Sequence, residues 1–131
     1  MLLTSSNEPR AAAMVGEAYT PLNNANGRIG IGDSTTAAAK GQTDLQAATN
    51  KIYLVQDPGY PVLAAAVITF EITADGTEAN YAWKEFLLCD GSPGTAWARF
   101  VQTLNGGVAK VSGQSWTLQI AATVGRNDVA N

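Results

Sequence analysis

The segment 67-VITFEIT-73 carries the clearest secondary-structure pattern in the chain. Ile68, Phe70 and Ile72 occupy alternate positions, with Thr69 and Glu71 between them. A period of two is the pattern of a half-buried β-strand, because successive side chains of a strand point to opposite faces of its sheet. We therefore predict a strand over these residues, with the three large apolar side chains facing inward.

The segment 115-SWTLQIAATV-124 repeats this alternation. It predicts a second strand whose inward positions are Trp116, Leu118, Ile120, Ala122 and Val124, and whose outward positions are Ser115, Thr117, Gln119 and Thr123. Further strands are predicted in GRIGIGD (27–33), KIYLVQD (51–57) and AWARFVQTL (96–104).

Turn-forming residues separate these segments. DPGYP (57–61) and ADGTEAN (74–80) predict turns, and NGG (105–107) predicts a hairpin. The segment 36–51 is ambiguous, since Gly41 interrupts any helix longer than a turn. Short strands with almost no helical periodicity predict an all-β protein, an antiparallel sandwich that is jelly-roll-like or immunoglobulin-like.

The first 26 residues differ in character from the rest. They mix Ala, Asn, Ser and Pro without a sustained period, and Gly16 and Pro21 limit any helix in 8-EPRAAAMVGEA-18. We expect residues 1–26 to form an extended arm or strand-like extension rather than a core element, with a disordered tail as the alternative. Residues 27–131 are then the sandwich domain.

The segment 80-NYAWKEFLLCDG-91 is apolar yet contains Lys84 and Glu85. Strict alternation divides it into two faces, each mostly apolar with one charge: Tyr81, Trp83, Glu85, Leu87 and Cys89 on one, and Ala82, Lys84, Phe86 and Leu88 on the other. Three explanations remain open: a strand covered on both sides, a bulge that shifts the register, or an edge strand packed against another subunit.

A buried Glu85 would need a charged partner, since an isolated buried carboxylate is costly. The candidate is Arg99, in the predicted neighbouring strand and on the face of Trp97 and Val101. We therefore hypothesise a structural Glu85–Arg99 pair that fixes the strand register.

Composition excludes several functions. The net charge of −3 and the scattered basic residues argue against a nucleic-acid partner, and no apolar stretch is long enough to predict a membrane span. The chain has no histidine and one cysteine, so it cannot assemble a Cys/His zinc site or a histidine-dependent nucleophile. The oxygen-rich turns 75–78 and 90–92 lack the ligand spacing of a calcium loop. We expect no enzyme activity, no catalytic residues, no cofactor and no metal.

The order of segments nevertheless resembles a family of small structural proteins of tailed bacteriophages. The resemblance covers residues 28–124 and rests on RIGIGDSTTAAAKGQTDLQAATNK (28–51), DPGYPV (57–62), VITFEITADGTEANYAWKEFLL (67–88), GTAWARFV (94–101) and SWTLQIAATV (115–124). Glu85 and Arg99 match recurring acidic and basic positions of that family. KEFLLCD (84–90) and AWAR (96–99) depart from it by hydrophobic substitutions.

The resemblance implies a virion component made in the host bacterial cytoplasm. The first expectation is a capsid decoration (cement) protein, a homotrimer on the outer head surface that contacts the major capsid protein, with neither nucleic acid nor membrane as a partner. The arm would make that contact through Pro9, Arg10, Met14, Tyr19 and Pro21. The alternative is a tail-associated module (fibre, collar or baseplate) that recognises host glycans by stacking on Tyr53, Tyr60, Trp83 and Trp97.

Overall fold

The computed structural model describes residues 1–92 and 94–123. Within them lie one α-helix, α1 (Asn7–Val15), two short 3-10 helices (Thr4–Ser6 and Asn105–Gly107) and seven strands. The strands are β1 (Arg28–Gly32), β2 (Lys51–Val55), β3 (Val62–Ala64), β4 (Val67–Ala74), β5 (Glu85–Cys89), β6 (Ala96–Val101) and β7 (Trp116–Thr123). Val124, expected to face inward, lies outside the described residues.

The strands form two antiparallel sheets. One has the order β2-β1-β5-β6 and the other the order β3-β4-β7. The all-β sandwich with an N-terminal arm is therefore confirmed. Sequence patterns missed β3, a three-residue strand that pairs with the start of β4.

The main core lies between the two sheets. Ile29 and Ile31 of β1 are fully buried and belong to one cluster with Phe70 and Ile72 of β4. In β7 the even-numbered side chains are half-buried and the odd-numbered ones are exposed, from Trp116 to Thr123. The alternation predicted for β4 and β7 is thus confirmed in the described residues.

A second apolar cluster covers the opposite face of the four-stranded sheet. We call it the outer cluster; it comprises Leu3, Leu45, Leu87, Cys89 and Ala96. The N-terminal residues and the loop 33–50 contribute to this cluster, so the four-stranded sheet has buried side chains on both faces. The loop has no helix, which resolves the ambiguity of segment 36–51.

Strand β5 is buried at all five positions because it lies inside the doubly covered sheet, between β1 and β6. Of the three explanations, the covered strand is correct and the edge strand is wrong; a register irregularity also occurs between Leu88 and Cys89 in the pairing with β6. Strict alternation begins only at Glu85. Trp83 lies before the strand and packs in the inter-sheet core instead of sharing the face of Glu85.

The hairpin predicted at 105–107 is wrong. Strand β6 pairs with β5 and strand β7 with β4, so the segment between them crosses from one sheet to the other. Asn105, Gly106 and Gly107 do adopt positive φ, as a tight turn requires. The turn residues predicted the local bend but could not specify which strands pair.

The N-terminal residues extend the four-stranded sheet. Leu3 N donates to Trp97 O and Arg99 N donates to Met1 O, each at 2.9 Å, and Leu2 pairs with Ala98 in an antiparallel bridge. These residues therefore cover the free edge of β6. The expectation that residues 1–26 contribute no core element is wrong for Leu3, which is 1% exposed.

Candidate functional site

The four-stranded sheet brings Glu85 and Arg99 together. Glu85 pairs with Val101 across the β5–β6 ladder and Leu87 pairs with Arg99, so the two charged residues are diagonal neighbours on one face. Arg99 Nε and Nη2 donate to Glu85 Oε2 at 2.9 and 2.7 Å. Both side chains are 0% exposed. Trp97, expected on the same face, packs against the inter-sheet core instead.

The ion pair also holds the loop 33–50. The backbone N–H groups of Gln46 and Ala47 donate to the Glu85 carboxylate at 2.9 and 2.7 Å, and Arg99 Nη1 donates to Gln42 Oε1 at 2.9 Å. Four donors therefore converge on one buried carboxylate, which offsets its loss of hydration. The arrangement joins two strands and a loop; it leaves no open space for a substrate.

Glycines on β1 permit this close packing. A Cβ atom on Gly32 would lie 2.3 Å from Glu85 Oε1, and one on Gly30 would lie 3.0 Å from a methyl carbon of Leu45. Ile29 and Ile31 face the inter-sheet core, so the alternating glycines of RIGIG face the loop. Close approach of side chains explains why this strand has glycine at alternate positions.

A second polar cluster lies at the margin of the same loop. Tyr53 Oη donates to Asp44 Oδ1, and Lys51 Nζ lies 3.4 Å from Asp44 Oδ2. Burial, followed by the hydrogen bond and the negative charge of Asp44, raises the pKa of Tyr53 above its ordinary value. The tyrosine therefore remains a neutral donor, and its contact anchors the loop onto β2.

Sequence reasoning missed Lys110, which is 1% exposed. Its ammonium group donates to Asp75 O, to Glu78 O at 2.8 Å and to Asn80 Oδ1 at 2.8 Å. This cation is bound by the oxygen-rich turn after β4, which lacks the ligand spacing of a calcium loop. No sequence signal marks it, because the turn and Lys110 are brought together only by the crossing from β6 to β7.

Cys89 lies in the outer cluster and is 0% exposed. Burial raises the pKa of its thiol to about 12, and its Sγ donates to Gly91 O at 3.2 Å. The side chain therefore behaves as a small buried hydrophobic group.

The arm residues lie at the surface. Met14 is 86% exposed, Val15 72% and Tyr19 43%. Pro9 and Pro21 are half-buried. Arg10 is exposed, and its guanidinium donates to Ser6 O and Asn7 Oδ1 within the arm itself. We call Met14, Val15 and Tyr19 the arm surface.

Most of the aromatic residues expected to stack on glycans pack against other side chains of the domain. Trp83 is 1% exposed, and its indole N–H donates to Ala79 O at 2.9 Å. Trp97 packs against the inter-sheet core, and Tyr53 packs against the outer cluster. Tyr60 is half-buried, and its hydroxyl lies 3.4 Å from Gln119 Nε2. These four residues therefore do not form one exposed aromatic surface.

Within residues 1–92 and 94–123, no cluster of three or more His, Cys, Asp or Glu residues has an arrangement that could hold a metal ion. In the same part of the chain, no helix combines the length and apolar character needed to cross a membrane. The fold and its polar clusters define a two-layer β-sandwich stabilised by a buried ion pair. Comparison with protein-family models, curated proteins and solved structures found no match.

Proposed function

We propose that the protein is a structural component of a bacteriophage virion, a decoration protein that binds the outside of the head and stabilises contacts between capsomers. The observation that carries the proposal is the contrast between the arm and the sandwich. The arm surface is apolar and exposed, while the charged groups beneath the loop 33–50 are buried and paired. The phage resemblance of residues 28–124 supplies the biological setting.

The buried polar groups support a binding role rather than a catalytic one. Glu85 and Arg99 are hydrogen-bonded to each other and to the loop, and Lys110 is hydrogen-bonded to the turn 75–80. A general acid or base must reach the substrate. These groups stabilise a rigid domain from which an exposed segment extends.

The arm surface is where we place the contact with the major capsid protein. Burial of an apolar side chain such as Met14 is favourable by about 25 cal/mol per Å² of apolar area removed from water. Each contact is small, but a trimer that presents three arms binds a repeating lattice with the benefit of avidity.

Copy number tests this proposal. Virions of the phage that carries the gene are purified, emptied heads and isolated tails are prepared from them, and the protein is quantified by gel densitometry against the major capsid protein. We expect hundreds of copies on heads. A handful of copies that follow the tails would contradict the decoration role and support the tail-associated module.

A pair of variants tests the contact surface. Met14→Asp with Val15→Asp places two charges on the arm surface, and we expect at least a tenfold loss of binding to heads that lack the protein. The matched control is Thr117→Asp with Thr123→Asp, two exposed positions on β7 of the other sheet. Equal binding by both variants would exclude the arm surface as the contact.

A further inference from the structure

The free edge of β6 is a docking site for one extended segment. In this structure residues 1–6, which we call the strap, occupy it. Met1 and Arg99 exchange two backbone hydrogen bonds at 2.9 Å each, and Leu3 N donates to Trp97 O. Ser5 Oγ donates to Ala96 O. The strap therefore adds a short strand to the sheet and supplies it with backbone partners.

A specific side-chain contact accompanies this pairing. Leu3 is 1% exposed and inserts among Leu87, Cys89 and Ala96, beside Leu45 of the loop. Backbone pairing with an inserted apolar side chain is the general mode by which a sheet edge binds an extended peptide. The site therefore binds an apolar side chain at position 3 as well as the backbone of the strap.

The segment that joins the strap to the sandwich is weakly held. We call residues 7–21 the link; none of its side chains is buried, and within the described residues it makes no hydrogen bond to the sandwich. The chain is anchored again at Leu22, which packs against the inter-sheet core, and at Asn24, whose side chain donates to Asp57 O and Tyr60 O.

The link also has a considerable contour length for a segment of 15 residues. Helix α1 has nine residues and spans about 14 Å. The part after Gly16, residues 17–21, adds up to roughly 17 Å at the maximal rise per residue. Gly16 has φ +76° with open space around it, so the direction of the chain can change there without a steric clash.

We infer that copies of this protein exchange their straps, each strap docking on the β6 edge of a second copy. The occupant is the same Met1–Ser6 segment in either arrangement, so every contact described above is retained when the strap crosses to a neighbour. Such an exchange loses little beyond the entropy of association, which makes it a low-cost route to an oligomer. The inference rests on the self-association in the proposed function and does not depend on location in a virion.

A disulfide distinguishes the two arrangements. Leu2 and Ala98 face each other as a non-hydrogen-bonded antiparallel pair, the closer of the two pair types and within the Cα range of a disulfide. The variant Leu2→Cys with Ala98→Cys is prepared in a Cys89→Ala background and oxidised over a dilution series. The control variant, Thr69→Cys with Ala121→Cys, joins register partners within the other sheet.

On a non-reducing denaturing gel, we expect most of the Leu2/Ala98 variant to migrate as covalent oligomers and the control to migrate as a monomer. A monomer band alone from the Leu2/Ala98 variant would overturn the exchange. Failure of this variant to form any disulfide, while the control forms one, would overturn it too, because the strap would then not lie on β6 in any copy.

A deletion provides a second, independent measurement. Removal of residues 17–20, all of them exposed, shortens the link so that a strap can no longer return easily to its own β6. We expect a larger oligomer fraction than for the unaltered protein at equal concentration, measured by light scattering during size-exclusion chromatography. A folded monomer would overturn the inference. If the shortened chain does not fold, the disulfide experiment alone determines whether the straps are exchanged.

The outcomes also separate this inference from the virion proposal. Covalent oligomers of a protein that is absent from virions would contradict the virion role and leave strap exchange intact. Abundant copies on heads whose Leu2/Ala98 disulfide is wholly intramolecular would contradict exchange and leave the decoration role intact.

Discussion

Arg99 directs two of its nitrogens at a single oxygen of Glu85, at 2.9 and 2.7 Å, and neither side chain has exposed surface. The second carboxylate oxygen accepts the N–H of Ala47 at 2.7 Å. The pair therefore connects two adjacent strands to the loop that covers them. Its removal should affect the whole domain.

Glu85→Gln should lower the free energy of unfolding by about 3–5 kcal/mol, the range for breaking a buried ion pair. The amide has one acceptor oxygen where four N–H groups converge, so its NH₂ group must face a donor. Chemical denaturation measures the loss. Lys51→Met is the control, because it removes the partly exposed ion pair with Asp44 and should cost less than about 1 kcal/mol.

Arg99→Met completes a double-mutant cycle. The combined variant should lose less than the sum of the single losses, since each single variant leaves one buried group without its partner. Unchanged melting temperatures for Glu85→Gln and Arg99→Met would disprove the hypothesis that this pair fixes the register.

Gly32→Ala should destabilise the protein by about 1–3 kcal/mol, the usual cost of overpacking. The added Cβ would lie 2.3 Å from Glu85 Oε1, so the carboxylate must move away from its donors. Gly41→Ala is the matched control, because Gly41 has no atom within 4 Å of an added Cβ. Equal denaturation midpoints for the two variants would show that the carboxylate can shift without cost.

Lys110→Met should remove the cation that binds the turn 75–80. It leaves Asp75 O, Glu78 O and Asn80 Oδ1 without this donor, at a cost of about 1–3 kcal/mol for each group that stays buried and unpaired. Thermal unfolding measures the loss, and faster amide exchange at Glu78 would locate it. Exposed Lys40→Met should change neither quantity; a similar small effect of both variants would contradict the structural role of Lys110.

Alkaline pH should destabilise the protein through Cys89. Burial raises the pKa of its thiol from 9.0 to about 12, so the folded state holds a proton that the unfolded state releases. The resulting contribution to stability is complete below pH 9 and is lost as the pH rises towards 12. Burial also raises the pKa of the Tyr81 hydroxyl, so this residue adds to the loss of stability at alkaline pH.

Denaturation curves between pH 8 and 11 check this dependence. Cys89→Ala should show a shallower alkaline decline than the unaltered protein. In addition, a thiol reagent at pH 8 should label Cys89 only after unfolding by denaturant. Rapid labelling of the folded protein would contradict the burial of this residue.

The sequence predicted the strands whose two faces differ in environment. Strands β4 and β7 face the core on one side and water on the other, so hydrophobicity alone indicated their orientation. Strand β5 was harder to interpret because both of its faces are buried, and its extent was overestimated by including Trp83. Strand β3, exposed at all three positions, has no inward pattern to detect.

Within the candidate site, only the Glu85–Arg99 pair was predictable, because a buried charge without a partner is energetically costly. A glutamate in an apolar strand requires a cation, and Arg99 was the candidate in the predicted neighbouring strand. Lys110 gave no such signal, since its acceptors are mainly backbone carbonyl oxygens of a turn 30 to 35 residues away. Likewise, nothing in the first six residues indicates that Leu3 inserts into a core.

By itself, then, the sequence determined the all-β class, the inward faces of the amphipathic strands and the need to neutralise Glu85, because each follows from local periodicity or from the cost of burying a charge. Only the tertiary structure decided which strands pair, which turn binds Lys110 and which edge the strap covers. These features depend on contacts between residues far apart in the chain, and backbone hydrogen bonding has nearly the same chemistry at every free strand edge.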